Sequence, residues 1–589
     1  MRTRRGTSLI DLLISMGIIT VLFGGVYLVY FSILTSITNI GVRTAASTVI
    51  GQEIETVRNL PYDSVGTVGG VPPGVIPQAQ SVTQGKFTFI LQTTVRNIDD
   101  PFDGTLGGNP NDTAPADYKL VSIEASCPTC VTNFVPIEIT TTVAPKNLES
   151  ATQNGSLFIY ALDASGVGVP GATVHVVNAS VTPSIDLMDT TNASGVLQLV
   201  GVPTSTQGYT ISVTKDGFSS DRTYPIGAPG NPNPVKPYAT VAQQAVTSIT
   251  FSIDTLSLIK VHTSNNRCVA IGNEPFSIAG AKLIGTGPNV LKFSTTSVTD
   301  AGGSSILPNI EWDNYSLGLT DAAYDVAGTM PLNPVTINPS STQDFHFILQ
   351  PTADPALLVA AQDAVSGAPI PNVAITITKG AFSKTVVTNH ATVSETDWSG
   401  GSLTSQSGGI DVTDKPGSLT LFTNASGTYA TGTSLWGISD TIDLGGSSST
   451  LYGISWDPLN QPGGVGAGGL EFQIAANNDN TTWNFMGPDG TGNTYFTASS
   501  SSLPAQLSGN RYLRYEVFMS TQDGTVTPEL DDISFDFTAN CVPPAQALFT
   551  SLGSGNYTID ITAPNYAEGS STVSVGAGFQ SITVPLAHL

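Results

Sequence analysis

The residues able to do chemistry are few and widely spaced. Two of the four cysteines form the tetrapeptide "CPTC", Cys127 to Cys130, while Cys268 and Cys541 stand far apart. A C-x-x-C pair serves zinc when a second ligand pair lies near, and thiol redox chemistry when it sits in a βαβ unit. Neither context is present, since the flanks "DYKLVSIEAS" and "VTNFVPIEITTTV" both read as strands. The expectation is a small disulfide loop, Cys127–Cys130, at a hairpin tip. A bridge between Cys268 and Cys541 is a candidate second disulfide of an exported protein. The five histidines, His175, His262, His346, His390 and His588, fall in different modules. No HExxH, GxSxG or P-loop pattern occurs. A glycosidase carboxylate pair is defined by its separation in space, so the many acids neither make nor exclude one. Asp479, Asp489, Asp531 and Asp532 are oxygen donors of the kind Ca²⁺ takes, though solvated surface acids are the plainer reading. A protein that is not an enzyme, with no metal site and no cofactor, is expected.

One acid is oddly placed. Asp11 stands at the head of an apolar run, and from Leu12 to Leu34 no charged residue occurs. That run gives ~35 Å of helix, enough to span a bilayer. Arg2, Arg4 and Arg5 precede it, which keeps the N-terminus cytoplasmic and sends the rest outside. No small-residue cleavage site follows it, unlike a removed signal peptide. The helical pattern instead continues to Arg58, with Val42, Ala45, Ala46, Val49, Ile50 and Ile54 near one face, and Pro61 stops it. The rest is rich in turns and strands, with 60 Gly, 38 Pro and only 11% charged residues against the ~25% usual in soluble domains. A formal charge of −24 repels phosphates, so no nucleic-acid partner is expected.

The basic leader, Gly6 and "TSLIDLLISMGII" resemble the N-terminus of type IV prepilins. The resemblance implies peptidase cleavage between Gly6 and Thr7 and methylation of Thr7. The family usually has Phe first and Glu fifth in the mature chain, where this sequence has Thr7 and Asp11. It also implies that Asp11 pairs with the new terminal ammonium of a neighbouring subunit. Losing one member of such a buried pair costs about 3–5 kcal/mol. The junction "RNLPYDSV" looks most like minor pilins and pseudopilins of the PilV/GspI type. The implied partners are other pilin subunits through the N-terminal helix, the prepilin peptidase, the inner-membrane assembly platform and the membrane.

Two later stretches match each other, "SLFIYALDASGVGVPGATVHVVN" from Ser156 and "ALLVAAQDAVSGAPIPNVAITITKG" from Ala356. A middle copy opens with "SLIKVHTSNNRCVAIGNEPFSIAGAKLIG", and closing strands recur near Tyr209, Tyr315 and Tyr557. These copies resemble carboxypeptidase regulatory-like domains, small prealbumin-like β-sandwiches without activity. The third copy is interrupted by a module holding Trp398, Trp436, Trp456 and Trp483. That module is similar to galactose-binding-like jelly rolls. Trp398, in the loop-like "ETDWSGGS", is the candidate exposed ligand contact.

The fold class read from these features is multidomain and mainly β. The expected order is a leader at 1–6, then a pilin-like domain at 7–149, with a helix over 7–58, a transmembrane segment over 12–34 and a small antiparallel sheet. β-sandwiches follow at 150–255, at 256–350, and at 351–391 joined to 541–589, with a jelly-roll insert at 392–540. The function expected is a large minor pilin displaying β modules for surface or host attachment, with cell-surface glycans as candidate ligands. A structural pseudopilin of a secretion or DNA-uptake machine, and a membrane-anchored protein that never polymerises, are the alternatives. The location expected is the cytoplasmic membrane with extracytoplasmic domains, then an extracellular pilus or the cell surface.

Overall fold

A computed structural model describes residues 9–130, 134–145, 153–401, 403–413 and 415–589, with side chains from residue 13 onward. Helix α1, Leu9–Arg58, runs for 50 residues, or ~75 Å. Its second half buries Val42, Ala46, Val49, Ile50, Ile54 and Val57, a stripe spaced by three and four residues. The stripe packs against a four-stranded antiparallel sheet in sequential order: β1 (Ala79–Gln84), β2 (Phe87–Ile98), β3 (Tyr118–Ser126) and β4 (Ile137–Val143). Phe89, Leu91, Val121, Ile123 and Ala125 supply the facing core. Alternation in and out of the core along β2 and β3 leaves polar side chains on the other face. Lys119 is buried and fastens the segment after the helix, donating from Nζ to the carbonyls of Tyr62 and Val65, both at 2.7 Å. Burial lowers its pKa, against the opposing pull of Asp63.

Three two-sheet sandwiches follow, and they share one topology. In each, the first strand lies beside the last in parallel: Gly155–Leu162 with Val246–Ser252, Ser257–Ser264 with Thr342–Pro351, and Ala356–Asp363 with Phe579–Leu586. On its other edge each first strand takes an antiparallel partner, Val196–Val202, Ser304–Ile310 or Gln546–Phe549. The facing sheet is centred on Thr173–Asn178, Pro275–Gly280 or Ala374–Lys379. Local devices recur as well. The hydroxyls of the buried Tyr209, Tyr315 and Tyr557 donate to the carbonyls of Pro203, Glu311 and Gly553 at 2.6, 2.8 and 2.8 Å. Burial raises the Tyr209 phenol to about 12 and also raises that of Tyr315.

Between Phe382–Val387 and Gln546–Phe549, the third copy carries an insert of two larger sheets and a two-stranded pair, Ile410–Asp411 with Thr420–Leu421. One contains Ala391–Glu395, Asp532–Thr538, Thr450–Asp457 and Ser501–Ser502. The other centres on Tyr512–Met519, flanked by Leu435–Ser439 and Leu470–Asn477. The chain divides into two compact units, Met1–Leu256 with Leu283–Lys292, and Ser257–Lys282 with Phe293–Leu589.

Candidate functional site

The first half of α1 has no core to join. Leu13 through Leu34 presents its large apolar side chains outward, with Val21 75% and Phe23 72% exposed. Among the described residues this is the one helix long and apolar enough to cross a membrane. Its threonine hydroxyls turn back on the helix: Thr20, Thr35 and Thr38 donate to the carbonyls of Met16, Phe31 and Leu34 at 2.8, 3.0 and 2.9 Å. A hydroxyl bonded to its own helix can enter lipid or a helix bundle without an orphaned donor. Gly6 and Thr7 lie outside the described residues. Asp11 is the third residue of α1, and its side chain lies outside them too.

The outer face of the β1–β4 sheet meets the first sandwich inside the first unit. Arg96 Nε donates to Asp189 Oδ2 at 2.8 Å, and Nη2 contacts Oδ1. Gln78 Nε2 donates to the Asp186 carbonyl at 2.6 Å, and Asn97 Nδ2 to the Val200 carbonyl at 2.8 Å. These bonds join the helix-bearing domain to the first β module.

Cys127 is bridged to Cys130 just beyond β3, and Cys268 to Cys541 within the second unit. Among the described residues no cluster of His, Cys, Asp and Glu is arranged for a metal. Asp479 and Asp489 are occupied in turns: Asp479 accepts the amides of Thr482 and Thr481, both at 2.9 Å, and Asp489 accepts the Thr494 hydroxyl at 2.6 Å and the Thr491 amide at 2.8 Å. These bonds hold both carboxyls below their ordinary pKa. Asp531 faces Lys415 Nζ at 3.2 Å, and Asp532 accepts the Ser534 hydroxyl at 2.8 Å.

Two sequence expectations need correction. Trp398 is not a surface contact. It is 0% exposed, and its Nε1 donates to Tyr515 Oη at 2.8 Å; Tyr515 in turn donates to Glu395 Oε2 at 2.6 Å. The Gly/Ser run after it lets the chain turn, with Gly401 at φ +87° and its amide bonded to the Trp398 carbonyl, so the indole folds into the core. The histidines are also not all dispersed. His262 and His346 are register partners on parallel strands of the second sandwich, with ring centroids 4.6 Å apart. Burial and the neighbouring His262 lower the pKa of His346. His588 Nε2 meets Asp363 Oδ2 at 3.0 Å, and His390 stacks on Tyr452 at 3.9 Å.

The half-exposed aromatics of the insert lie elsewhere. Along Tyr512–Met519, Leu513, Tyr515, Val517 and Met519 point inward, while Tyr512, Arg514, Glu516 and Phe518 line the outer face. Phe518 pairs across the strands with Trp436 on one side and Glu471 on the other, and the Tyr495 ring meets it edge-on at 5.0 Å. Arg514 sits over the Trp483 ring at 4.5 Å. Partial burial raises the pKa of both Glu471 and Glu516. The face thus offers flat apolar rings beside carboxylates, a combination that can stack on a sugar ring and accept its hydroxyls. Sequence reading missed it, although the alternation in "RYLRYEVFMS" carries the pattern.

No family model matches the chain, and no curated protein matches it. Among solved structures it is similar to the Bacillus anthracis TIE protein, at 12% identity and a TM-score of 0.16, over 87% of this chain and 61% of that one. Shaft pilin SpaA from Lactobacillus rhamnosus GG is 10% identical, with a TM-score of 0.14, over 33% of this chain and 98% of that one. GBS52, the minor pilin of Streptococcus agalactiae, is 13% identical, with a TM-score of 0.18, over 34% and 98%. Likenesses this distant leave the fold to be read from the sheets themselves.

Proposed function

We propose that this chain is a pilus-type subunit. In this reading α1 anchors it in the cytoplasmic membrane and then in the core of a type IV pilus or pseudopilus, and the β modules are displayed for surface attachment. The observation that carries the reading is the division of α1 into a fully exposed apolar half and a half built into a domain core. A disposable export signal has no reason to continue without a break into the helix that nucleates the first domain. Cleavage after Gly6 would leave Thr7, methylated, at the head of that helix, and Asp11 would neutralise the ammonium of an adjoining subunit.

The Trp436, Phe518 and Tyr495 face, with Glu471 and Glu516, is the part of the insert best suited to cell-surface glycans. The structural pseudopilin reading draws on the bonds of Arg96, Gln78 and Asn97, which suit a spacer. N-terminal mass spectrometry of the mature protein tests the anchor reading. A chain beginning at Thr7 supports it, and one that retains Arg2 to Arg5 refutes it. The Asp11→Ala variant is expected to insert in the membrane normally and to be depleted from sheared filaments. A glycan array with the full chain and a Trp436→Ala variant separates the adhesin from the spacer.

A further inference from the structure

Within the second unit, a cavity of about 300 Å³ opens between the second and third sandwiches. Leu317, Val326 and Phe347 wall it on one side, and Leu358, Phe579 and Ile582 on the other. The volume is about twice the ~150 Å³ that suffices for benzene in an apolar cavity. A bulge in strand Tyr324–Met330, between Val326 and Gly328, turns the next residue, Thr329, toward the junction. The Thr329 amide and carbonyl pair with the side chain of Gln546 at 2.9 and 2.7 Å. Thr329 is one of the lining residues and is only 4% exposed, and among the described residues its buried hydroxyl, which lies behind the cavity wall, has no hydrogen-bond partner. A buried hydroxyl left unmatched costs about 1–3 kcal/mol, and this one adjoins a space whose walls mix the apolar side chains with Tyr324, Asn333, Gln546, Ser581 and Thr583, so an occupant that reaches it would recover that cost.

The charge at the site narrows that occupant. Asp321 lines the cavity, and among the described residues no Lys, Arg or His does. Behind Asp321 stands Glu274, 5% exposed; burial, the Asp321 charge and a hydrogen bond with Asp321 raise its pKa. Two adjoining carboxyls repel anions and favour a cation.

We propose that this cavity binds a small organic cation, an apolar ring or chain bearing one ammonium group. The body fills the space between Val326 and Leu358, the ammonium faces Asp321, and the Thr329 hydroxyl accepts a hydrogen bond from the ligand. The site is independent of how the chain is anchored or assembled.

The test uses the full chain in lipid nanodiscs, with phenethylamine as probe and 3-phenylpropionate as its anionic counterpart, read by saturation-transfer NMR. Phenethylamine is expected to receive saturation and phenylpropionate not. Asp321→Asn, which keeps an acceptor for the Ala323 amide at 2.9 Å, should weaken phenethylamine about tenfold. Thr329→Val should weaken it less, and Ala360→Leu, which fills the cavity, should abolish it. Unchanged thermal midpoints establish that the variants are folded. Three results would overturn the proposal: no saturation of phenethylamine at millimolar concentration, equal saturation of the two probes, or a phenethylamine signal that persists in Ala360→Leu and so reports the bilayer alone.

Discussion

Arg96 and Asp189 form a pair whose two members should not be equally costly to lose. The Asp189 side chain is 3% exposed and the Arg96 side chain 29%. Arg96→Ala strands a carboxylate in the interior, where the Thr190 amide at 2.7 Å is its remaining donor. The same change removes the positive charge facing Glu138. Breaking a buried pair in this sense costs 3–5 kcal/mol, and Arg96's partial wetting places the cost at the lower end, about 3 kcal/mol. Asp189→Ala leaves a guanidinium already part-way into water, able to rehydrate and still close to the Thr190 carbonyl at 3.3 Å. Its cost is that of a wet pair, about 1 kcal/mol. Whole-chain melting blurs the difference, because several domains unfold together. Amide hydrogen exchange along β2 and along Ile185–Thr190 reads local opening directly. At about 1.4 kcal/mol per decade, Arg96→Ala should speed exchange there about a hundredfold and Asp189→Ala about fivefold. The double variant should resemble Asp189→Ala. Equal effects, or a larger effect of Asp189→Ala, would refute the assignment of asymmetry to burial.

Trp398→Ala should destabilise the insert by about 3–5 kcal/mol through the cavity it leaves, seen as early loss of near-ultraviolet dichroism. Trp398→Phe should cost less, chiefly the bond to Tyr515. Trp436→Ala and Phe518→Ala should remove glycan retention on an array while moving the thermal midpoint of the insert by less than about 1 kcal/mol equivalent, as expected of part-exposed positions. Asp99 accepts the Leu106 amide at 2.9 Å, but burial and the charges of Asp112, Asp117 and Asp103 raise its pKa. A carboxyl whose folded pKa lies above its unfolded one stabilises the fold below the unfolded value, about 3.9, and loses that contribution as pH rises through the folded value. Asp99→Asn should therefore raise stability at neutral pH and flatten the profile across that acidic window; exchange protection of residues 99–117 between pH 3 and 7 would show it.

Periodicity made the elements legible but not their partners. The uncharged run after Asp11 and the stripe from Val42 to Ile54 are one-dimensional signals, and α1 follows both of them. Strand alternation in "DYKLVSIEAS" likewise marks β3, because a sheet with one covered face imposes a period of two. Trp398 was misread because a Gly/Ser neighbourhood reports backbone freedom and not the direction of a ring. His262 and His346 lie 84 residues apart and touch only because the first and last strands of a sandwich run side by side. Arg96 and Asp189 belong to different folded domains, and no local pattern links them.

The shared topology also accounts for where the insert enters. In the first two sandwiches, strand Ile185–Thr190 passes to Val196–Val202, and Ser294–Val298 to Ser304–Ile310, through short turns that begin at Thr191 and Thr299. The hydroxyls of those threonines accept the amides of Ala172 and Glu274, both at 2.9 Å. In the third sandwich Thr388 does the same for Val373 at 3.0 Å, and the insert begins after it. The turn that elsewhere closes in a few residues here closes over the whole insert before Gln546. Loop-closure entropy grows only with the logarithm of loop length, and a folded insert whose ends lie close adds little even to that. The parallel pair of Ala356–Asp363 with Phe579–Leu586 lies outside the interruption and keeps the register found in the other copies. A sandwich whose first and last strands are parallel neighbours admits the chain at one end and releases it at the other. Tension along the chain then loads that pair in shear, across a row of backbone hydrogen bonds at once. An insert placed in the connection between the two sheets, from Phe382–Val387 to Gln546–Phe549, adds a folded module without entering that path.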